Sequence, residues 1–83
     1  MVKKSRLQVY LKAYRFNQGE MTQQRLADLV GVSRQTIISI EKQKYTPSVE
    51  LALRIAKVFG KPVEEIFRLS SEVADEERSK RHY

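Results

Sequence analysis

The chain lacks cysteine and has only three glycines, two prolines and one histidine among its 83 residues. Without cysteine, neither a disulfide framework nor a thiolate metal site can hold the fold together. A chain of this length forms one small domain, with little room for a large catalytic cleft. We therefore expect hydrophobic packing to provide the stability, and we expect no metal and no cofactor.

Residues suited to catalysis are also scarce. No cysteine nucleophile exists, and the only histidine, His82, stands alone in the C-terminal tail, where we expect no metal site. Glu64 and Glu65 are explained more simply as solvated residues at a helix start, where the dipole favours acids, than as a catalytic carboxylate pair. The sequence predicts that the protein is not an enzyme.

Long apolar runs are absent too. No run approaches the roughly 20 residues that span a bilayer. The N-terminal stretch MVKKSRLQVYLKAYRF has charges where a signal peptide needs its apolar segment. We expect a cytoplasmic protein with no membrane partner.

Positive charge is in excess. Sixteen Lys and Arg against ten Asp and Glu give a net charge of +6. Residues 1–18 contain basic residues and no acid. This balance favours polyanions as partners, with nucleic acid ahead of acidic membrane surfaces.

Apolar periodicity predicts five helices. Leu7, Tyr10, Leu11 and Tyr14 are spaced at i, i+3, i+4 and i+7, which predicts a first helix from about Lys4 to Phe16. The other four helices have recognisable caps and stops: Thr22 to Gly31, Ser33 to about Gln43, Ser48 to Gly60, and a short one after Pro62. No segment alternates with a period of two, so the expected fold is all-α without a sheet.

The second and third helices are joined by only three residues, GVS. This connection is too short for antiparallel helices side by side, so we expect them to cross steeply. Ala27 is small where the backbones come close, and Gly31 can adopt a positive φ. Apolar contacts would fix the crossing through Leu26, Val30, Val32, Ile37 and Ile40. The pattern predicts a helix-turn-helix at residues 22–43.

Residues 21–67, MTQQRLADLVGVSRQTIISIEKQKYTPSVELALRIAKVFGKPVEEIF, resemble the Cro/phage-repressor type of helix-turn-helix regulator. The resemblance lies in SRQTI, IE, the K-Y-P-S spacing and LA-IA--FG---EEIF in this order. It implies a five-helix, lambda-repressor-like DNA-binding domain over residues 1–69, usually a homodimer, that regulates transcription. Residues 70–83 are expected to be a polar tail, either a frayed helix or disordered, with a dimerisation arm as the alternative.

The third helix of this motif would enter the major groove with its N-terminus foremost. At 100° per residue, a polar arc lies opposite Ile37 and Ile40. We predict that bases are read by Ser33, Arg34, Gln35 and Ser39; the alternative is an ordinary solvated face. Ile38 lies on the same arc, where it would touch a thymine methyl group or simply be exposed.

Phosphate contacts are expected at both flanks of this helix. Gln23 begins the second helix, where a side chain and free N–H groups converge, and the resembling family has a phosphate-clamping glutamine there. Lys42 and Lys44 suit phosphates on the far flank. Thr36 would contact a phosphate or make a local hydrogen bond. The resemblance further implies a structural ion pair between Arg15 and Glu41, although helix one is a residue further from Thr22 than in the usual pattern.

The dimer interface is predicted from apolar residues that a small monomer would leave uncovered: Phe59, Val63, Ile66, Phe67 and Leu69. Together these features predict a repressor that binds a pseudo-palindromic operator in double-stranded DNA as a homodimer. The alternative is an antitoxin-type module that binds a toxin as well as DNA. No small-molecule effector is evident.

Overall fold

A computed structural model describes residues 7–69. Five helices and two short strands follow one another along this part of the chain: β1 (Leu7–Val9), α1 (Leu11–Asn17), α2 (Gln23–Val30), α3 (Arg34–Glu41), α4 (Val49–Phe59), α5 (Val63–Ile66) and β2 (Phe67–Leu69). The predicted tail, residues 70–83 with His82, lies outside the described residues. No helix within residues 7–69 is long and apolar enough to cross a membrane.

A two-stranded antiparallel sheet joins the two ends of the described chain. β1 pairs with β2 so that Leu7 lies opposite Leu69 and Val9 opposite Phe67. The Tyr10 N–H continues this pairing by donating to the Ile66 carbonyl oxygen at 2.8 Å. The all-α prediction is therefore approximately right but not exact, and the first helix begins at Leu11 rather than at about Lys4, because Leu7 and Val9 belong to a strand. The five predicted helices remain.

The helix caps were predicted correctly. The side-chain oxygens of Thr22, Ser33 and Ser48 each accept a hydrogen bond from a backbone N–H three residues further on, which satisfies one of the free N–H groups of each helix start. Gly31 ends α2 at φ 78° and Gly60 ends α4 at φ 64°, both in the left-handed region. The third helix is shorter than predicted and ends at Glu41.

One hydrophobic core unites these elements. Its fully buried large side chains are Leu11, Leu26, Ile37, Ile40, Ile55 and Ile66. Ala27 is also fully buried, and its carbonyl oxygen accepts hydrogen bonds from the N–H groups of Gly31 and Val32 at 2.9 and 3.0 Å. α2 and α3 thus pack closely through the side that the helix-turn-helix pattern predicted.

Three of the five residues predicted for a dimer interface belong to this core. Ile66 is fully buried, and Phe59 and Phe67 are each only 8% exposed within the single chain. The premise that a monomer leaves them uncovered is wrong, because all three pack in the hydrophobic core of the single chain. Val63 is half-buried, and Leu69 is 56% exposed.

A tyrosine links the first helix to the fifth. The Tyr14 hydroxyl donates to a carboxylate oxygen of Glu65 at 2.9 Å across 51 residues of sequence. This hydrogen bond, together with partial burial and the negative charge of Glu65, raises the pKa of Tyr14 above its ordinary value of 10.0. The centre of the Tyr14 ring also lies 6.1 Å from the centre of the Phe59 ring, so α1 contacts α4 as well.

Candidate nucleic-acid interface

α3 has one face in the core and one face in solvent. Ile37 and Ile40 are fully buried, whereas Arg34 and Gln35 are exposed and Ser39 is half-buried. The spacing of the two isoleucines fixes the rotation of the helix, because only one face can be turned inward. The predicted base-reading side chains are therefore presented on an accessible surface.

Four of the predicted contact residues line one shallow concavity of about 240 Å³: Ser33, Gln35, Thr36 and Ser39. The remaining lining residue is Tyr45, from the loop between α3 and α4, whose side chain is 47% exposed. Tyr45 was not among the predicted site residues. Its signals in the sequence are its place in the K-Y-P-S spacing and its position as an aromatic residue in a polar loop directly after the helix. We call this concavity the Tyr45 slot.

The hydroxyl groups of Ser33 and Thr36 bind each other. Their oxygens are 3.0 Å apart, and the Ser33 oxygen also accepts the Thr36 backbone N–H at 3.2 Å. Ser33 is thus both the cap of α3 and a wall of the Tyr45 slot. Of the two roles considered for Thr36, the structure contains the local hydrogen bond.

A buried ion pair connects α1 to the end of α3. The Arg15 guanidinium donates to both carboxylate oxygens of Glu41, from Nε at 2.6 Å and from Nη2 at 3.0 Å. Its Nη1 donates to the Met21 carbonyl oxygen at 2.7 Å, and Arg15 is only 6% exposed. Such a two-pronged contact fixes direction as well as distance, so α3 is held at its last residue.

Gln23 joins this ion pair from the start of α2. Its Nε2 donates to Glu41 Oε1 at 3.1 Å, and the side chain is half-buried. A glutamine amide nitrogen carries two hydrogens, so this bond leaves a second one for another acceptor. Gln23 therefore lies beside α3, on the side of Glu41 rather than in the Tyr45 slot.

The predicted phosphate-binding lysines lie at the C-terminal end of α3. Lys42 caps the helix, and Lys44 follows it with a backbone N–H that donates to the Ser39 carbonyl oxygen at 2.9 Å. Both lysines are exposed, as is Arg34 at the opposite end of the helix. Ile38, whose role the sequence left open, is half-buried and does not line the Tyr45 slot. Cationic groups thus flank the slot along the helix.

Known proteins resemble most of this fold. The helix-turn-helix family model matches residues 11–66. An uncharacterized HTH-type transcriptional regulator of Methanocaldococcus jannaschii is 62% identical over 47 residues, which cover 57% of this chain and 71% of the relative. Another from Archaeoglobus fulgidus is 50% identical over 58 residues, covering 70% and 82%. A third, from Bacillus subtilis, is 47% identical over 51 residues, covering 61% and 77%.

The family match covers the helices that present the Tyr45 slot, the buried ion pair and the flanking cations. It extends from the first residue of α1 to the last residue of α5, so it includes every helix of the described chain. The resemblance predicted from the sequence motifs is confirmed. The chain belongs to the helix-turn-helix family, in its Cro/phage-repressor type.

Proposed function

We propose that the chain is a sequence-specific DNA-binding transcriptional regulator that acts in the cytoplasm as a repressor by occupying a promoter. The observation that carries the proposal is the exposed polar face of α3, rigidly anchored by two buried isoleucines and a buried ion pair. The names of the relatives, which describe transcriptional regulators, support it. The net charge of +6 suits a polyanionic partner.

In this proposal, α3 enters the major groove with its N-terminal end foremost. The Arg34 guanidinium then donates to O6 and N7 of a guanine, and the Gln35 amide pairs with N6 and N7 of an adenine. Each such two-point contact discriminates by about 1–3 kcal/mol against a wrong base. Ser33 and Ser39 add short hydroxyl contacts beside them.

Phosphate contacts set the depth and register of the helix in the groove. Gln23 donates its second amide hydrogen to a phosphate while the first remains on Glu41, so the ion pair and the DNA backbone share one side chain. Lys42 and Lys44 bind phosphates near the other end of α3, whereas the Thr36 hydroxyl keeps its local bond to Ser33. These groups add affinity without reading sequence.

Selection of preferred sites from random DNA tests the proposal, with the wild-type chain and Gln35→Ala compared at several salt concentrations. Gln35→Ala should lose about 1–3 kcal/mol of binding free energy for the preferred site and lose the preference at one base pair. Gln24→Ala is the matched control, because Gln24 is an exposed glutamine on α2 that binds Asp28. Weaker binding with an unchanged preferred sequence would refute the role of Gln35; no enriched sequence for the wild type would refute the whole proposal.

The proposed active form is a homodimer on a pseudo-palindromic operator. One α3 covers few base pairs, whereas two copies placed one turn of DNA apart, about 34–36 Å, read two half-sites. Leu69 and Val63 remain as the interface candidates, since the other three predicted residues are buried within the chain.

Sedimentation at micromolar concentration tests this arrangement. Leu69→Glu should shift a dimer to monomer because it places a charge in an apolar contact. Leu53→Glu is the control, since Leu53 is similarly exposed, at 53%, but lies on α4. A wild-type chain that sediments as a monomer, with and without DNA, would contradict the dimer.

A further inference from the structure

We infer that Tyr45 and Thr36 form a subsite for the C5-methyl group of a thymine, in or next to the base pair that Gln35 reads. The inference rests on the proposed function and extends it from hydrogen-bond readout to an apolar contact. It assigns a specificity role to Tyr45, a residue outside the helix that reads DNA.

The first step is the geometry of α3. At 100° per residue, the exposed surface of the helix divides into two flanks. Gln35, Ser39 and Thr36 turn towards Tyr45 and line the slot, whereas Arg34 and Ile38 turn the other way and do not line it. A base edge that meets Gln35 is therefore also next to Tyr45.

The second step is the chemistry of the slot walls. The hydroxyl groups of Ser33 and Thr36 are engaged with each other at 3.0 Å, and the Ser33 oxygen also accepts a backbone N–H. The lining surface is mostly apolar, although Gln35 also carries an amide and Ser39 and Tyr45 carry hydroxyl groups. The slot between polar readers is thus suited to an apolar group.

The third step is the choice of occupant. The major groove has one distinctive apolar feature, the C5-methyl group of thymine, and threonine methyl groups and aromatic rings are suited to contact it. The slot is a shallow concavity of about 240 Å³ that is open to solvent. The slot therefore admits the methyl group together with the edge of its base.

The experiment replaces each thymine of the selected site by deoxyuracil, which lacks only this methyl group. Loss of one buried methyl should weaken wild-type binding about fourfold at one thymine of each half-site. Tyr45→Ala should bind thymine and uracil equally there, while Tyr45→Phe keeps the ring and the preference. Thr36→Ser keeps the hydroxyl bonded to Ser33 but loses the methyl, and should weaken the preference.

Tyr10→Ala is the matched control, since Tyr10 is a partly exposed tyrosine, 37% exposed, at the start of α1. It should retain the full thymine preference. Circular dichroism of every variant establishes that the helices are intact, and Thr36→Ser tests the subsite without altering the loop.

Three results would overturn the subsite: a wild-type chain indifferent to uracil at every thymine, a preference that persists in Tyr45→Ala, or a preference lost in Tyr45→Phe. If the thymine preference persisted in Tyr45→Ala, Ile38 would be the residue that contacts the methyl group. If the preference were lost in Tyr45→Phe, it would depend on the phenol hydroxyl rather than on the ring. These results differ from failure of the proposed function, in which the wild-type chain selects no sequence at all.

Discussion

Two ion pairs in this structure have the same closest N–O distance and very different surroundings. Arg15–Glu41 and Arg54–Glu50 both measure 2.6 Å, but the side chains of the first are 7% and 9% exposed and those of the second 57% and 74%. Water screens the second pair and competes with it, whereas the first has lost its water and depends on its partners. The N–O distance alone is therefore a poor guide to what each ion pair contributes to the free energy of unfolding.

Glu41→Ala should be strongly destabilising, because it leaves the Arg15 charge buried without a carboxylate. We expect a loss of about 3–5 kcal/mol in the free energy of unfolding, measured by urea denaturation. Glu50→Ala removes the same chemical group from the exposed pair and should cost below about 1 kcal/mol. Similar losses in the two variants would show that burial does not govern the strength of these pairs.

At the residue scale, the sequence left Tyr45 without a role. No periodicity marks it, because it lies in a loop, and its proximity to Gln35 and Ser39 depends on how that loop folds back along α3. Arg15 and Glu41 were paired only through resemblance to a family, since 26 residues separate them. Their proximity follows from the tertiary fold, which brings Arg15 of α1 to the last residue of α3.

At the element scale, α3 uses one side chain for two purposes. Ser33 accepts the Thr36 N–H at 3.2 Å as the helix cap, and it also lines the Tyr45 slot. Ser48 caps α4 in the same way, accepting the Leu51 N–H at 3.1 Å, but it does not line that slot. The two serines allow the capping role to be separated from the proposed reading role.

Ser33→Ala and Ser48→Ala should each lower the free energy of unfolding by about 1 kcal/mol, the usual cost of removing a serine cap. Only Ser33→Ala should also weaken binding to the preferred DNA site, measured by fluorescence anisotropy at a temperature where both variants are folded. Equal DNA affinities for the two variants would mean that Ser33 serves only as a cap.

The elements differ in how far local sequence determines them. Caps, stops and the apolar face of α2, α3 and α4 depend on residues within a few positions of each other, and these predictions are confirmed. β1 is a three-residue strand whose partner lies 62 residues away at the Leu7–Leu69 pair. Its first residue, Leu7, also fits a helical stripe with Tyr10, Leu11 and Tyr14, so the periodicity predicted a longer first helix.

At the scale of the whole molecule, the excess of positive charge makes DNA affinity depend on salt. Each phosphate neutralised by a lysine releases condensed counterions, which sets the slope of the logarithm of the binding constant against the logarithm of salt concentration. The +6 charge alone does not identify which lysines take part. That depends on which ones lie beside the exposed face of α3.

Lys42→Ala and Lys44→Ala should each reduce the magnitude of this salt slope by about 0.9 while leaving the preferred sequence unchanged, because phosphates carry no base information. Lys61→Ala lowers the net charge equally, but Lys61 is exposed between α4 and α5 and should leave the slope unchanged. A slope that fell equally in all three variants would indicate a general effect of net charge. Filter binding over a series of salt concentrations measures the salt slope of each variant.

The sequence by itself determined the helix-turn-helix, because its caps, its glycine turn and its buried isoleucines act between near neighbours. The tertiary structure alone decided which distant groups meet. It joined β1 to β2 and placed Phe59, Ile66 and Phe67 in the core rather than on an interface. It also placed Tyr45 beside Gln35. Such contacts depend on the packing of the whole chain, which cannot be read from local spacing.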